Sequence, residues 1–337
     1  MNEKLLKYHY VILGSDWDVY KIAYSSLSTK TDAEYFSNPN QKLNKFLAKI
    51  YKFHSSRRIN NLFYLPGKSL WNRWLFHFNE YGSKPFCFVI FGRWHDMGDE
   101  IGLEAFLRNN YPNCKIVWFV QDLFSLQRSY FRRLPFDPQK EKNKYDLIVS
   151  YDRGDCRQYD FEYHPTVFTT VPIDSSSIGE KCDIYFLGKA KNRLTLILKY
   201  YTLLSDLGFN CSFYLIGVPE SEREIKSGLH YISEPFTYME NLKHVQSCNC
   251  VLEIMQDNAV GCTFRTWESL GYKKKLITNN LGIRNEPFFD PNTIYVLDDN
   301  FNPDDLSRFI KQEGITYKDN SFMEPMNLLY FIDKKLV

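Results

Sequence analysis

No stretch of the sequence reaches the about 18 uninterrupted apolar residues that a membrane-spanning helix requires. The opening residues MNEKLLKYHYVILG lack the long apolar region and small-residue cleavage site of a signal peptide. None of the eight cysteines belongs to a CxxC pair, which argues against a zinc site or a redox dithiol. We therefore expect reduced thiols in a cytoplasmic protein that is soluble or at most peripheral at the inner face of the membrane.

The sequence also has no strong excess of charge of either sign, since it contains 42 Lys and Arg and 40 Asp and Glu residues. The net charge of +2 gives no argument for nucleic acid as a partner, so any anion site must be local. The glycine fingerprints GxGxxG and GxxxxGK[ST] are absent as well. Their absence disfavours a Rossmann oxidoreductase and ATP hydrolysis at a P-loop.

What the sequence does contain is a repeated alternation of short apolar runs with helical patterns. The chain has 337 residues, which is long enough for two domains of roughly 150 residues each. The apolar runs lie at 8–14, 86–92, 115–120, 146–150, 182–188, 211–217, 229–233, 250–255 and 275–280. Continuous apolar strands that alternate with helices predict parallel sheets covered on both faces.

A linker rich in Ser, Gly and Pro at 171–181 divides this pattern in two. We predict an α/β fold of two Rossmann-like domains, 1–172 and 173–337, whose parallel sheets face a cleft. In such sheets ligands bind beyond the carboxyl ends of the strands.

The stretch FRTWESLGYKKKLIT (264–278) places Glu268 on the apolar side of a short helix. A half-buried carboxylate costs several kcal/mol unless a hydrogen bond satisfies it. One interpretation pairs Glu268 with Lys274, Lys275 or a backbone amide. The other is a diphosphate beside the helix: Gly261 would allow close backbone approach, Arg265 would face the anion, and Glu268 would accept hydrogen bonds from ribose.

A second candidate anion site is FLGKAKNR (186–193), in which a strand and a glycine precede three cations. It indicates phosphate contacts from Lys189 and Arg193, or else a solvated basic start of a helix.

Three stretches of the second half, in this order, resemble the donor domain of GT-B glycosyltransferases, especially bacterial enzymes of capsular and lipopolysaccharide sugar assembly. They are DIYFLGKAKNR (183–193), ISEPFTYMENLKHVQSCNCVLEI (232–254) and GCTFRTWESLGYKKKLITNN (261–280). The resemblance covers about residues 182–300. It implies transfer of a sugar from a nucleoside-diphosphate donor to a glycan acceptor, lipid-linked in surface polysaccharide assembly, with no cofactor beyond the nucleotide-sugar co-substrate.

The same resemblance assigns roles to individual residues. It implies that Gly188, Lys189 and Arg193 hold the diphosphate, that the loop from Ser233 to Tyr238 contacts the nucleobase, and that Glu268 binds the ribose. Many retaining members carry a second glutamate eight positions before this one, where the chain has Val260. The departure leaves the stereochemistry of transfer open.

An inverting enzyme needs a base on a loop of the first domain. The candidates are Asp16, Asp18, His95, Asp96 and Asp122, of which we favour Asp16 and His95. For these two the plain alternatives are a turn cap and a packing histidine. The segment SDWD (15–18) matches the DxD pattern of metal-dependent GT-A enzymes, but it precedes any nucleotide-binding unit, so we expect no essential metal.

Residues 46–78 mix Lys and Arg with Trp and Phe. Such a segment either rests on an anionic membrane that carries the acceptor or packs on the sheet with its cations outside. For the whole chain the alternative to an enzyme is a non-catalytic sugar- or nucleotide-binding assembly protein of the same fold.

Overall fold

The computed structural model describes residues 5–37, 42–78, 83–174, 180–255, 260–319 and 321–336. Contacts group the chain into two compact units, Met1–Val167 with Glu324–Val337 and Phe168–Met323. Each unit is described by itself. Across the described ranges, no helix combines the length and the apolarity needed to cross a bilayer.

The first unit contains, within its described residues, a six-stranded parallel sheet in the order β2-β1-β3-β4-β5-β6. The strands are β1 (His9–Leu13), β2 (Ala33–Phe36), β3 (Phe86–Ile90), β4 (Lys115–Val120), β5 (Leu147–Ser150) and β6 (Glu162–Tyr163). Every residue of β1 and β3 is buried, as expected for central strands covered on both faces.

Ten helices accompany this sheet in the described part of the first unit. They are α1 (Asp18–Ala23), α2 (Lys45–His54), α3 (Arg57–Leu62), α4 (Asn72–Leu75), α5 (Arg93–Asp96), α6 (Gly98–Ile101), α7 (Leu103–Asn110), α8 (Pro138–Lys142), α9 (Arg153–Tyr159) and α14 (Pro325–Lys335). Several are single turns, so much of the surface consists of short helices and loops.

The second unit has a second six-stranded parallel sheet over its described residues, in the order β12-β11-β10-β7-β8-β9. Its strands are β7 (Cys182–Lys189), β8 (Cys211–Ile216), β9 (Leu229–Ile232), β10 (Cys248–Glu253), β11 (Lys275–Thr278) and β12 (Ile294–Val296). Its helices are α10 (Leu194–Asp206), α11 (Tyr238–Ser247), α12 (Phe264–Gly271) and α13 (Pro303–Lys311). The predicted α/β fold with two parallel sheets is confirmed.

The structural division differs from the predicted domains 1–172 and 173–337 at the C-terminal end. Helix α14 belongs to the first unit, where Leu328 and Ile332 are fully buried. The Asp333 carboxylate accepts hydrogen bonds from the Tyr10 hydroxyl at 2.6 Å and from the Lys7 amide at 2.8 Å. These contacts tie α14 to the start of β1, and the sequence pattern did not indicate them.

Candidate functional site

Helix α12 carries the carboxylate that the sequence singled out. Its N-terminal cap is Thr263, whose side chain accepts a hydrogen bond from the Arg265 amide. From Thr266 to Leu270 every residue is buried, so the apolar face of α12 lies against the sheet. Glu268 lies on this buried part of the helix and is only 4% exposed.

Glu268 is satisfied by side chains of α11. Asn241 Nδ2 donates to Glu268 Oε1 at 3.0 Å, and the Tyr185 hydroxyl on β7 donates to Asn241 Oδ1 at 3.0 Å. Burial raises the pKa of Glu268, while Arg265 and hydrogen bonds from Tyr238 and Asn241 act in the opposite direction. The net shift is upward, so this carboxylate is held in place at an electrostatic cost.

The alternative pairing of Glu268 with a lysine is wrong. Lys274 Nζ donates instead to the Gln246 carbonyl, and Lys275 Nζ donates to the carbonyls of Phe309 and Ile310 at the end of α13. Sequence reasoning missed Asn241 because a single Asn within a helix gives no signal of its partner on another element.

Arg265 and Gly188 lie together at the carboxyl end of β7. Arg265 Nη2 donates to the Leu187 carbonyl, and its guanidinium carbon lies 5.5 Å from the centre of the Phe186 ring. A Cβ atom on Gly188 would lie 3.0 Å from Arg265 Nη2 and 3.1 Å from Phe186 Cζ. Glycine is therefore the residue that allows the guanidinium to cross the end of this strand.

Of the two cations predicted to contact phosphate, Lys189 is exposed and Arg193 is hydrogen-bonded to backbone carbonyls. Lys189 ends β7 with an exposed side chain. Arg193 donates to the carbonyl of Lys189 at 2.8 Å and to that of Ile254. The guanidinium of Arg193 thus joins the ends of β7 and β10, so a phosphate contact would compete with these carbonyl bonds.

The other predicted donor residues lie after β9, at the start of α11 and before α12. Ser233 follows β9 and is exposed, and Tyr238 begins α11 with its ring buried 6.2 Å from that of Phe264. Gly261 is buried, and its carbonyl accepts from Asn280 Nδ2 at 3.4 Å. Residues 257–259 of the predicted anion loop lie outside the described residues.

Glu253, at the end of β10, is a second buried carboxylate that the sequence did not assign. It is fully buried and accepts hydrogen bonds from Thr263 at 2.5 Å, Thr266 at 3.0 Å and Thr278 at 2.6 Å. Two of these hydroxyls belong to the start of α12 and one to β11. Glu253 therefore fixes α12 relative to the sheet, and a charged residue inside an apolar strand was the signal available.

The favoured bases of the first unit have different environments. The Asp16 carboxylate lies 2.6 Å from Lys21 Nζ, and about half of its side chain is exposed. The His95 ring is 2% exposed and stacks on Trp118 with ring centres 3.6 Å apart. Its two nitrogens lie 3.5 Å from carboxylate oxygens of Asp96 and Glu141.

The His95 ring thus packs on Trp118 between two carboxylates. Burial lowers the pKa of its imidazole, the carboxylates of Asp96 and Glu141 raise it, and the net direction is upward. Because the ring is enclosed, contact with an acceptor hydroxyl would require its neighbours to move, and the role of His95 as the base stays a prediction. Over the described ranges, no group of three or more His, Cys, Asp or Glu side chains is arranged to hold a metal ion.

Comparison with solved structures identifies the architecture. The catalytic domain of starch synthase IV from Arabidopsis thaliana, bound to ADP and acarbose, aligns with a TM-score of 0.58 at 8% identity, covering 99% of each chain. The chain has a GT-B-type fold. No family model and no curated protein matches the sequence.

Two further likenesses are weaker. The trehalose-6-phosphate synthase OtsA aligns with a TM-score of 0.48 at 10% identity, over 97% of this chain and 95% of that one. The GtfA/B complex aligns with a TM-score of 0.37 at 10% identity, over 83% of this chain and 56% of that one. Of these three structures, only the starch synthase domain has a TM-score above 0.5, and at 8% identity the likeness shows the fold alone.

Proposed function

We propose that the chain is a glycosyltransferase that moves a sugar from a nucleoside-diphosphate donor to a glycan acceptor. The observation that carries the proposal is the buried Glu268, oriented by Asn241, beside Arg265 at the glycine end of β7. A buried carboxylate beside an arginine at the carboxyl ends of parallel strands suits a ligand with hydroxyls and phosphates. The starch synthase domain with the same fold binds ADP, which supports this choice.

The donor roles follow from exposure and charge. Arg265 and Lys189 face the diphosphate, and Gly188 allows it to approach the backbone. Glu268 accepts the ribose hydroxyls, and the loop from Ser233 to Tyr238 borders the nucleobase. Arg193 and Gly261 shape this end of the sheet through their backbone contacts.

In the reaction the bond from the anomeric carbon to the diphosphate oxygen breaks, and a bond to the acceptor oxygen forms. Arg265 and Lys189 stabilise the negative charge that develops on the leaving nucleoside diphosphate, without an essential metal. The acceptor hydroxyl must lose a proton. We assign that proton to Asp122, which is exposed just after β4 and, among the described residues, has no cation within 4 Å, whereas Asp16 is paired with Lys21.

The test is release of nucleoside diphosphate from UDP-, GDP- and ADP-sugars, with and without glycan acceptors. We expect release with one donor, and a fall of about 10²–10⁴-fold in kcat for Asp122→Asn. A loss confined to Asp16→Asn would transfer the base role to Asp16. Donor binding without any release would instead favour the non-catalytic assembly protein.

The acceptor is proposed to be lipid-linked, because the segment 42–78, here called the basic segment, suits an anionic membrane. It contains eight Lys or Arg and no Asp or Glu. In its helix α2, Phe46, Ile50 and Phe53 follow helical spacing yet are exposed, and lysines 45, 49 and 52 stand beside them. An apolar stripe that faces solvent between lysines is typical of a helix that lies in the membrane interface.

Binding to vesicles tests this surface. We expect cosedimentation with vesicles that contain phosphatidylglycerol, weakened by salt, and little with phosphatidylcholine alone, since each lysine near an anionic surface contributes about 1 kcal/mol. Phe46→Ser with Phe53→Ser should reduce binding, and the exposed Ile225→Ser on the second unit is the matched control. Equal binding to both kinds of vesicle would contradict the proposed preference for an anionic membrane.

A further inference from the structure

The first unit has a cavity of about 570 Å³ at the carboxyl ends of β1, β3 and β4. Its walls include Trp17 after β1, Arg93 after β3 and Asp122 after β4. In the sheet, β2 lies on one side of β1 and β3 lies on the other. The cavity is therefore at the point where the strand order reverses. Open parallel sheets bind ligands at this point.

Two arginines share one aromatic ring in this cavity. The guanidinium carbons of Arg57 and Arg93 lie 5.2 Å and 5.1 Å from the centre of the Tyr130 ring, and all three residues line the cavity. Both arginines are half-buried. Gly92, with a φ of +57°, forms the turn that places Arg93 here, in a backbone conformation that L side chains rarely adopt.

Neither guanidinium forms an ion pair with a described residue, although the carboxylates of Asp96 and Asp122 also line the cavity. No carboxylate oxygen of a described residue lies within 4 Å of Arg57 or Arg93, whereas Lys84 and Arg108 of the same unit have such partners in Asp32 and Asp146. Within the described residues, the Arg93 guanidinium donates only to the Met97 sulfur at 3.1 Å and the Ser55 hydroxyl at 3.5 Å. Arg57 Nε is buried and has no hydrogen-bond partner among the same residues. Two like charges at one ring repel each other unless an anion joins them.

Trp17 and Asp122 give the same cavity the other features of a sugar site. The Trp17 side chain is 70% exposed and stacks beside Tyr20 with ring centres 6.5 Å apart. An exposed indole offers a flat apolar face to the C–H side of a pyranose ring. The exposed carboxylate of Asp122 can accept a hydrogen bond from a sugar hydroxyl.

We infer that this cavity binds the acceptor through an anionic substituent, a carboxylate or a phosphate on the sugar, which Arg57 and Arg93 hold together. The inference rests on the proposed glycosyl transfer and gives it an acceptor class, an acidic glycan. Arginine suits this task because its planar fork of donors matches both anions. Tyr130 keeps the two guanidiniums at fixed positions before the ligand arrives.

Ligand-detected NMR titrations of the full chain with glucuronic acid, glucose 6-phosphate and glucose test the inference directly. At up to roughly 10 mM ligand, a range that detects dissociation constants near 1 mM, we expect at least one acidic sugar to bind and glucose to bind about tenfold more weakly. The two acidic probes distinguish a carboxylate from a phosphate. Absence of any preference for an acidic sugar over glucose would overturn the inference, without the need for a variant.

Substitutions locate the site. Arg57→Gln and Arg93→Gln should each weaken the acidic sugar about tenfold and leave glucose unchanged, whereas Arg58→Gln, an exposed neighbour outside the cavity, should bind like the wild type. Unchanged acidic-sugar binding in both cavity variants would place the anion elsewhere and refute the assignment. Stabilisation by a nucleoside diphosphate is measured on the same variants: if it persists while acidic-sugar selectivity is missing, this inference fails and the donor site stands.

Discussion

Substitution of Glu268 separates the functional role of this carboxylate from its structural one. In Glu268→Gln a carbonyl oxygen can still accept the hydrogen bond of Asn241 Nδ2, and the buried charge is removed. Because burial raises the pKa of Glu268, loss of the charge removes part of a desolvation cost. Glu268→Ala instead leaves Asn241 Nδ2 without its acceptor and opens a cavity.

The expected changes in unfolding free energy follow from these contacts. A hydrogen bond to a charged group contributes about 1.5–3 kcal/mol, so with its cavity Glu268→Ala should lose about 3 kcal/mol of unfolding free energy. At about 2–4 °C per kcal/mol this corresponds to a fall in Tm of about 6–12 °C. Glu268→Gln should stay within about 1 kcal/mol of the wild type. Without a carboxylate to bind the ribose, both variants should lose most of their stabilisation by nucleotide.

The assay is a thermal-shift titration with UDP, GDP, ADP and NAD. A ligand at 100 times its Kd adds about 2.7 kcal/mol to the wild type, so the shift that both variants should lose is well resolved. Glu220→Gln, exposed on the same unit, is the matched control. If Glu268→Gln keeps the full nucleotide-dependent shift, the carboxylate does not bind the ribose and the donor-site reasoning fails.

Three other outcomes are expected. Gly188→Ala should lower Tm and weaken nucleotide binding, because the new Cβ would lie 3.0 Å from Arg265 Nη2. Overpacking of this kind destabilises a fold by about 1–3 kcal/mol. Normal nucleotide binding would argue against this contact. Glu253→Ala should lower the free energy of unfolding, measured by chemical denaturation, by about 3 kcal/mol or more, because three threonine hydroxyls lose their acceptor. A change near zero would contradict the role of Glu253 in fixing α12. Burial lowers the pKa of His164 from 6.5 to about 4, so the unfolded chain takes up the proton first as the pH falls. The free energy of unfolding should therefore fall by up to about 3 kcal/mol between pH 6.5 and pH 4. His164→Gln should reduce the dependence of unfolding free energy on pH in that window, and an unchanged dependence would exclude His164 as its source.

The central strands were readable from the sequence because burial on both faces leaves a continuous apolar run. All nine predicted runs form strands, from YHYVILG at β1 to KLITNN at β11. The three strands that were missed, β2, β6 and β12, lie at sheet edges. In β2 only Ala33 is buried, and β6 has two residues, so neither contains the apolar run that marks a covered strand.

The candidate site was predictable in its charged residues and not in their partners. Glu268 and Arg265 stand out locally, because a carboxylate on an apolar face and a cation in the first turn of a helix both conflict with their surroundings. Asn241 and Tyr185, which hold Glu268, are distant in sequence and carry no such conflict. Arg57 and Arg93 likewise meet only through Tyr130, a contact that spacing along the chain cannot reveal.

The return of α14 to the first unit has a consequence for how the chain is made. The second unit is continuous from Phe168 to Met323, whereas the first is interrupted and needs residues from Glu324 onward. Domains that are continuous in sequence can fold as they emerge from the ribosome. Tyr10 receives its buried partner Asp333 only after more than three hundred further residues have been synthesised. During translation the first unit therefore lacks α14, which packs against it, until the second unit has been synthesised.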